Sequence, residues 1–381
     1  MGMQPRTAPP RDGMSSAQVV QILQGEESVQ LTGGLEIVDI DLTVVADISD
    51  SLAGGSVERN SYADLHGTAS FNLAQAIDWG GDLLRPYLTV SGGGLSARFN
   101  LGVYHPSTPA HPLGEDPPTY DVSGYDILLR LAQSVGDAYA INTGESYLAK
   151  VESILLQRGY TQYVIDQAQA ATVAPGPRTW AFDDSITWLS IVNDLLGAIG
   201  YAGVWSDWDG RLRCEPYIRP IDRAAEWSYS DNPETTMLTD ARSIERDYFS
   251  APNRWVFYRT NLVEGATPVE GNGMYVYVNT SSGDTSVQAR RGLVITKTEG
   301  VDAASHAALV IRANVSIDAD MAIPYLYNVE TFPNPLHWHF DRVELVDSAA
   351  TPWSQALCTQ WSLPLPPDDG NMTQQWRILT P

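Results

Sequence analysis

The stretch YDVSGYDILLRLAQS, residues 120–134, decides how the chain is divided. Its first half has the alternation of a β-strand, and its second half, from Ile127 to Leu131, has the apolar crowding of a helix start. Gly124 is predicted to allow a tight bend between the halves, because glycine accepts backbone conformations that other residues avoid. Asp126 is predicted to cap the helix start, close to the positive end of the helix dipole. The stretch therefore predicts a joint between a β region and a helical region.

The residues before this joint are predicted to form a first β-barrel domain, residues 31–134. The segment GLEIVDIDLTVVADI, residues 34–48, alternates apolar and acidic residues at strand spacing. The segment RPYLTVSGGGLSARFN, residues 85–100, gives two strands around a flexible glycine turn. Residues 1–30 contain the proline-rich RTAPPRDG and are predicted to be a loosely held N-terminal arm.

The middle of the chain, residues 135–240, is predicted to be a small α+β insert domain. The segment SYLAKVESILLQRGY, residues 146–160, has apolar residues at helical spacing and ends in a glycine. The segment SITWLSIVNDLLGAIGY, residues 185–201, repeats this pattern. Asp184 or Ser185 is predicted to cap the second helix.

The insert is predicted to end in a hairpin, and the chain then returns to β structure. In GVWSDWDGRLRCEPYI, residues 203–218, Asp209 and Gly210 form the predicted turn. Residues 241–381 contain the aromatic alternating stretches NRWVFYRTN and GMYVYVNTSSG, which favour a second β-barrel domain with room for an insertion. The order β, α+β, β predicts a mainly β protein with two similar antiparallel β-barrels and a helix-and-hairpin domain between them.

The composition limits the classes of function. Acidic residues outnumber basic ones by 46 to 23, which gives a net charge of −23. Such a charge repels nucleic-acid phosphates and argues against a DNA-binding protein. The two cysteines, Cys214 and Cys358, are far apart and predict no disulfide framework. No segment approaches the roughly 20 apolar residues that span a bilayer, and the start of the chain lacks the apolar core of a secretory signal.

The best metal-like pattern is His337, His339 and Asp341. In a strand these three residues would share one face, and two imidazoles with a carboxylate could bind zinc or iron. No second set of supporting partners follows from the sequence, however. The alternative is a polar strand face, and we predict no metal-binding residue here.

Paired carboxylates together with 11 Trp and 18 Tyr raise the alternative of a glycan-binding or glycan-cleaving protein. No nucleophile elbow, P-loop or dinucleotide-binding motif is present. We therefore predict no catalytic residue, no cofactor and no enzymatic activity, and we interpret Asp121 and Asp126 as structural. The four acidic pairs are Glu26-Glu27, Glu115-Asp116, Asp183-Asp184 and Asp368-Asp369.

The order of three motifs resembles a known family. The acidic β region ends in YDVSGYDILLRLA, and the helical insert ends in SDWDGRLRCEPY. The second β region begins near SAPNRWVFYRTN. Their order and spacing are similar to those of the tail hub family of phages and contractile injection systems. That family includes the phage late control protein D and baseplate hub proteins, and the resemblance covers residues 31–381.

The resemblance implies a structural virion protein made in the host cytoplasm and located at the distal tail tip or baseplate. Such hubs are homotrimers in which each chain supplies two tube-like barrels. They join the tail tube or a distal tail protein to the tip or spike protein, and the tape measure protein and DNA pass through the channel. The net charge agrees with a channel that does not hold DNA. The alternatives are a hexameric distal tail protein and the glycan-binding tail-tip protein.

Overall fold

The computed structural model describes most of the chain, and all structural statements concern these parts: residues 6, 8–9, 13–24, 28–107, 119–181, 185–232, 237–247, 251–262, 265–322, 325–348, 354–366 and 370–379. Within them the protein is mainly β with four α-helices, which confirms the predicted fold class at this level.

The N-terminal region contains a packed helix rather than the loosely held arm that the sequence predicts. Helix α1 spans Ser16–Leu23 and begins with a capping box between Ser15 and Gln18. Its apolar residues Val19 and Ile22 are buried in the main core. Their burial stabilises the helix against the sheet, because an isolated helix of this length is marginal in water.

The first β region has strands whose side chains alternate between the core and solvent. In β4 and β8 every second residue is buried, so one face of each strand contacts the core. A 3-10 turn at Ile127–Arg130 follows the last strand. The strands are β1 Gln30–Val38, β2 Val44–Asp47, β3 Leu52–Asn60, β4 Gly67–Leu73, β5 Leu83–Gly92, β6 Leu95–Asn100, β7 Tyr104–Pro106 and β8 Tyr120–Asp126.

The insert contains the two predicted helices, α2 at Tyr147–Gln157 and α3 at Trp188–Ala198. Thr187 caps α3 through a capping box with Ser190, so the predicted cap at Ser185 is wrong, and Asp184 lies outside the described residues. The apolar faces of both helices form a second core. The strands of the insert are short: β9 Tyr139–Ile141, β10 Tyr163–Ile165, β11 Arg178–Trp180, β12 Trp205–Ser206 and β13 Leu212–Cys214.

The second β region includes a separate layer in which a helix covers a small sheet. Helix α4, His306–Met321, packs on this four-stranded sheet, whose strand order is β17, β18, β16 and β19, and the contact forms a third core. The strands of the whole region are β14 Trp227–Ser230, β15 Leu238–Arg246, β16 Arg254–Arg259, β17 Val269–Glu270, β18 Gly273–Val278, β19 Thr296–Val301, β20 Tyr325–Thr331, β21 Arg342–Val346, β22 Gln355–Pro364 and β23 Met372–Ile378.

Fourteen strands form one large sheet, which includes β14 from the end of the range predicted for the insert as well as strands of the first and second β regions. Its main path runs β15, β20, β23, β22, β3, β4, β8, β7, β5, β1 and β2. The antiparallel pairing of β22 with β3, from Gln360 opposite Asn60 to Pro364 opposite Ser56, joins the two regions. Strand pairing among the described residues therefore gives an open path and closes neither region into a separate barrel. The main core is likewise shared by both regions.

Candidate functional site

The joint predicted at residues 120–134 lies at the junction between the large sheet and the insert. Strand β8 ends at Asp126, whose carboxylate Oδ1 accepts a hydrogen bond from the backbone N–H of Leu128 at 2.9 Å. The element that follows is a 3-10 turn, and Leu128 is fully buried. Asp126 is itself only 2% exposed. A buried carboxylate needs charged or hydrogen-bonding partners, so its surroundings determine its role.

Arg59 on β3 supplies the charge that faces Asp126. Its Nη1 lies 3.9 Å from Oδ2 of Asp126, and its Nη2 donates to the backbone oxygen of Ser206 at 3.1 Å. The hydroxyl of Ser206 donates to Oδ2 of Asp126 at 3.1 Å. Burial raises the pKa of Asp126, while the nearby guanidinium acts in the opposite direction. The three residues thus connect β3, β8 and β12 by buried polar contacts.

The second β region closes this junction through Trp338. The guanidinium carbon of Arg59 lies 4.4 Å from the centroid of the Trp338 ring. The indole N–H of Trp338 donates to the oxygen of Ser206 at 2.8 Å, and its backbone oxygen accepts from the indole of Trp361 at 3.3 Å. Residues from the first β region, the insert and the second β region therefore meet around one buried arginine.

The turn of the β12–β13 hairpin is built around Asp207. Its Oδ1 accepts from the backbone N–H groups of Asp209 and Arg211, and its Oδ2 accepts from Nε and Nη2 of Arg213 at 2.9 and 2.7 Å. Strand β12 pairs antiparallel with β13, and β13 also pairs in parallel with β10 of the insert. The sequence indicates a turn here but not the central role of the Asp207 side chain.

Gly210 and Asp209 dock this turn on the first β region. Gly210 has a φ of +89°, and a Cβ at this position would lie 2.6 Å from Cγ2 of Val103. Oδ1 of Asp209 accepts a hydrogen bond from Nδ2 of Asn100 at 2.6 Å. Glycine is thus required both by the backbone angle and by the close approach of the two segments.

Gly124 lies within strand β8 rather than at the bend that the sequence predicts. A Cβ there would be 3.0 Å from Cβ of Tyr104 and 3.2 Å from Cβ of Ala69. The missing side chain therefore makes room for neighbouring strands, and the turn begins two residues later at Asp126.

His337, His339 and Asp341 lie in a loop before β21, so they do not share a strand face as the metal hypothesis requires. Nδ1 of His337 lies 3.2 Å from Oδ2 of Asp341, whereas His339 stacks on Trp205 with ring centroids 5.2 Å apart. Nε2 of His337 contacts the hydroxyl of Tyr229 at 2.7 Å. No group of three metal-binding side chains is found among the described residues.

Two of the tryptophans that motivated the glycan alternative, Trp205 and Trp208, are buried and offer no exposed binding surface. Trp205 and Trp208 are 2% and 8% exposed, and both belong to the main core. The four acidic pairs at residues 26–27, 115–116, 183–184 and 368–369 lie outside the described residues. Stacking of a sugar on an aromatic ring requires an accessible face, which these two tryptophans do not offer.

Sequence reasoning missed Arg59, Ser206 and Trp338. A signal for Arg59 exists in the strand pattern, because it follows Val57 at a spacing of two and therefore falls on the buried face of β3. A charged residue in a buried position indicates a buried partner. No local feature of the sequence indicates that the partners come from β8, the insert and the loop before β21.

Comparison with solved structures shows which proteins share this fold. The tail protein from Neisseria meningitidis MC58 has a TM-score of 0.60 and 13% identity, with 92% of this chain and 96% of that chain covered. The 43 kDa tail protein of prophage MuSo2 from Shewanella oneidensis has a TM-score of 0.59 and 11% identity, with 92% and 98% covered.

The prophage tail protein gp18 from Listeria monocytogenes EGD-e has a TM-score of 0.54 and 12% identity, with 90% of this chain and 94% of that chain covered. No family model and no curated protein matches the sequence. At these identities the likeness concerns the fold. The chain therefore has, over nearly its whole length, the fold of phage tail proteins.

Proposed function

We propose that the protein is a structural, non-enzymatic component of a virion tail, the hub at the distal end of the tail tube. The observation that carries this proposal is the extent of the fold likeness. The superposition on each of two tail proteins covers 92% of this chain. It covers 96% of one of those proteins and 98% of the other. The whole chain, and not one shared domain, therefore corresponds to a tail protein.

The proposed hub is a homotrimer in which each chain supplies two tube-like β units to a ring. The pairing of β3 with β22 supports this arrangement, because it holds the two β regions of one chain side by side. The proposed division is an N-terminal segment at 1–30 that contains the packed helix α1, a first β domain at 31–134, an insert at 135–240 and a second β domain at 241–381.

The two ends of the large sheet are suitable for contacts between chains. Strand β2 pairs only with β1, and β15 only with β20, among the described strands. Val44 and Val45 on β2 are 48% and 57% exposed. An exposed apolar edge strand is unfavourable in an isolated chain, and pairing with another copy would cover it.

The solvated face of the large sheet is the proposed wall of the channel. On β3, β4 and β8 its exposed side chains include Glu58, Ser70, Asp121 and Ser123, and none of the exposed residues on these strands is basic. Together with the net charge of −23, such a wall would repel DNA phosphates rather than retain them. DNA would then pass in transit without specific binding.

The proposed partners follow from this position. They are the tail tube or a distal tail protein above, the tip or spike protein below, and the tape measure protein inside the channel, all in the virion at the tail tip or baseplate. No described helix is long and apolar enough to cross a membrane.

Sedimentation of the purified chain tests the proposed assembly. A trimer supports the hub, whereas a hexamer would favour the distal tail protein. Val45→Lys on the edge strand β2 is expected to shift the trimer towards monomer, because it places a charge in the proposed contact. Val269→Lys, at a position 51% exposed on the separate four-stranded sheet, is the matched control and should leave the trimer intact. A wild-type chain that remains monomeric at all concentrations and with tail partners present would contradict the proposal.

A further inference from the structure

A cavity of about 450 Å³ opens between three parts of the fold. Its wall is formed by the turn between β3 and β4, by helix α3 with the start of the hairpin, and by helix α4. The wall includes Tyr62 from the turn, Asn193 from α3 and Val315 from α4. The cavity lies beside the Arg59 junction, because Nδ1 of His339 in its wall is 3.4 Å from Nη2 of Arg59. The proposed tail function does not use the cavity.

Arg6 lines this cavity without a carboxylate partner at ion-pair distance. Its guanidinium lies 5.5 Å from the ring centroid of Trp205, and no hydrogen bond or ion pair to it is found within the described residues. By contrast, the buried guanidinium groups of Arg85 and Arg213 bind carboxylates at 2.8 and 2.7 Å. An unpaired arginine is unexpected in a chain with twice as many acidic as basic residues.

Arg223 is a second cation in the cavity wall, and it is 6% exposed. Its Nη2 donates to the backbone oxygen of Phe340 at 2.5 Å, and its Nη1 lies 3.4 Å from Glu226, but its Nε has no hydrogen-bond partner among the described residues. Burial and the positive charge of Arg223 lower the pKa of Arg6 to about 10, although Glu215, Glu226 and Asp341 act in the opposite direction.

Two further features mark this cavity as a binding site. Nδ1 of His66 in the wall also lacks a hydrogen-bond partner among the described residues. Phe340, which holds Arg223 through its carbonyl group, has a φ of +53°, an unfavourable angle for a residue with a side chain. Buried polar atoms without partners and local backbone strain both cost stability, and both occur at ligand sites.

Three acidic residues line the wall, and two of them accept hydrogen bonds from other side chains. Asp318 accepts a hydrogen bond from Arg219 at 2.6 Å, and Glu299 accepts one from Ser316 at 3.4 Å. Asp64, at the same cavity, is exposed to solvent. Among the described residues, none of these three carboxylates forms an ion pair with Arg6 or Arg223. Arg223 is paired with Glu226, and the third arginine of the wall, Arg312, lies 3.6 Å from Asp194.

We propose that this cavity binds a small oxyanion, a carboxylate or a phosphate, between Arg6 and Arg223. A guanidinium group forms directed, charge-assisted hydrogen bonds with both kinds of oxyanion. The bound anion would accept hydrogen bonds from the guanidinium of Arg6 and from Nε of Arg223, which has no partner among the described residues. The wall also has apolar surface that could contact a small organic group attached to the anion. This surface comes from the rings of Tyr62 and Phe340 and from the side chain of Leu357.

Calorimetric titration of the full chain with inorganic phosphate and with succinate tests this proposal, with sodium chloride at equal ionic strength as the reference. Saturable binding of either anion is expected. The anion that binds shows whether the oxyanion of the ligand is a carboxylate or a phosphate. Arg6→Gln and Arg223→Gln should each weaken binding at least about tenfold, since each removes a charge-assisted hydrogen bond. Arg211→Gln removes one charge at the exposed hairpin turn and should leave the affinity unchanged.

Thermal unfolding separates a binding role of Arg6 from a structural one. In oxyanion-free buffer, Arg6→Gln is expected to keep or raise the melting temperature, because Arg6 has no hydrogen bond or ion pair within the described residues that the substitution would remove. The binding oxyanion should raise the melting temperature of the wild type but not that of Arg6→Gln. The proposal is overturned if neither anion binds the wild type, if Arg211→Gln weakens binding as much as Arg6→Gln, or if Arg6→Gln lowers stability in oxyanion-free buffer.

Discussion

The guanidinium of Arg59 lies 3.9 Å from the carboxylate of Asp126, and both residues are almost fully buried. This pair connects two strands of the large sheet at the point where the chain leaves it for the insert. Ser206 of the insert and Trp338 of the second β region complete the contact. A buried cation without a counter-charge is strongly destabilising, so the junction depends on this pair.

Asp126→Ala is therefore expected to lower the free energy of unfolding by about 3–5 kcal/mol, because it leaves Arg59 buried and uncompensated. Asp121→Ala is the matched control, since Asp121 lies on the same strand and is exposed. Its effect should stay within about 0.5 kcal/mol. Urea unfolding of both variants measures the difference, and equal effects of the two substitutions would refute the role of the pair.

Gly210→Ala is expected to destabilise the docking of the hairpin. It combines a φ of +89° with a Cβ only 2.6 Å from Val103. Gly144 has a φ of +83°, but a methyl group added there would meet no atom within 4 Å, so Gly144→Ala isolates the cost of the backbone angle, about 1–2 kcal/mol. Urea unfolding should show a larger loss for Gly210→Ala. A loss no greater than that of Gly144→Ala would mean that the turn does not pack tightly on Val103.

The stability of the chain is expected to depend on pH through His66. Burial, with a smaller contribution from Arg59, lowers the pKa of His66 from 6.5 to about 3. Between these values the unfolded chain binds a proton that the folded chain does not, so stability decreases as the pH falls from about 6.5 to 3. Below the lower value the full loss is present, and above about 6.5 there is none.

His66→Gln removes this contribution and should flatten part of the pH dependence. Because carboxylates also titrate in this range, the informative quantity is the difference in unfolding free energy between variant and wild type at several pH values. That difference should change in favour of the variant as the pH falls from about 6.5. A difference that is the same at every pH would show that His66 becomes protonated in the folded state as it does in the unfolded one.

The predicted order of β, helical and β regions reflects local periodicity, which the sequence displays directly. Helix α2 lies within the predicted segment 146–160, because its apolar spacing is regular. The predicted cap of α3 is wrong, since several residues before the helix can accept a backbone hydrogen bond and only Thr187 directly precedes it.

Long-range pairing explains what could not be predicted. The contact between β3 and β22 joins distant parts of the chain and merges the two β regions into one sheet, and no local pattern encodes it. The same holds for the junction, where the partners of Arg59 come from three separate segments. His337 and His339 lie in a loop that Pro333 and Pro335 precede, and not in the strand that a shared face would require.

Electron microscopy of the purified chain, with particle images averaged without imposed symmetry, tests whether the chain forms the proposed hub. We expect a ring of three copies with a central channel, whose wall carries the solvated face of β3, β4 and β8. A compact single copy that does not join a ring when tail tube or spike partners are added would contradict it.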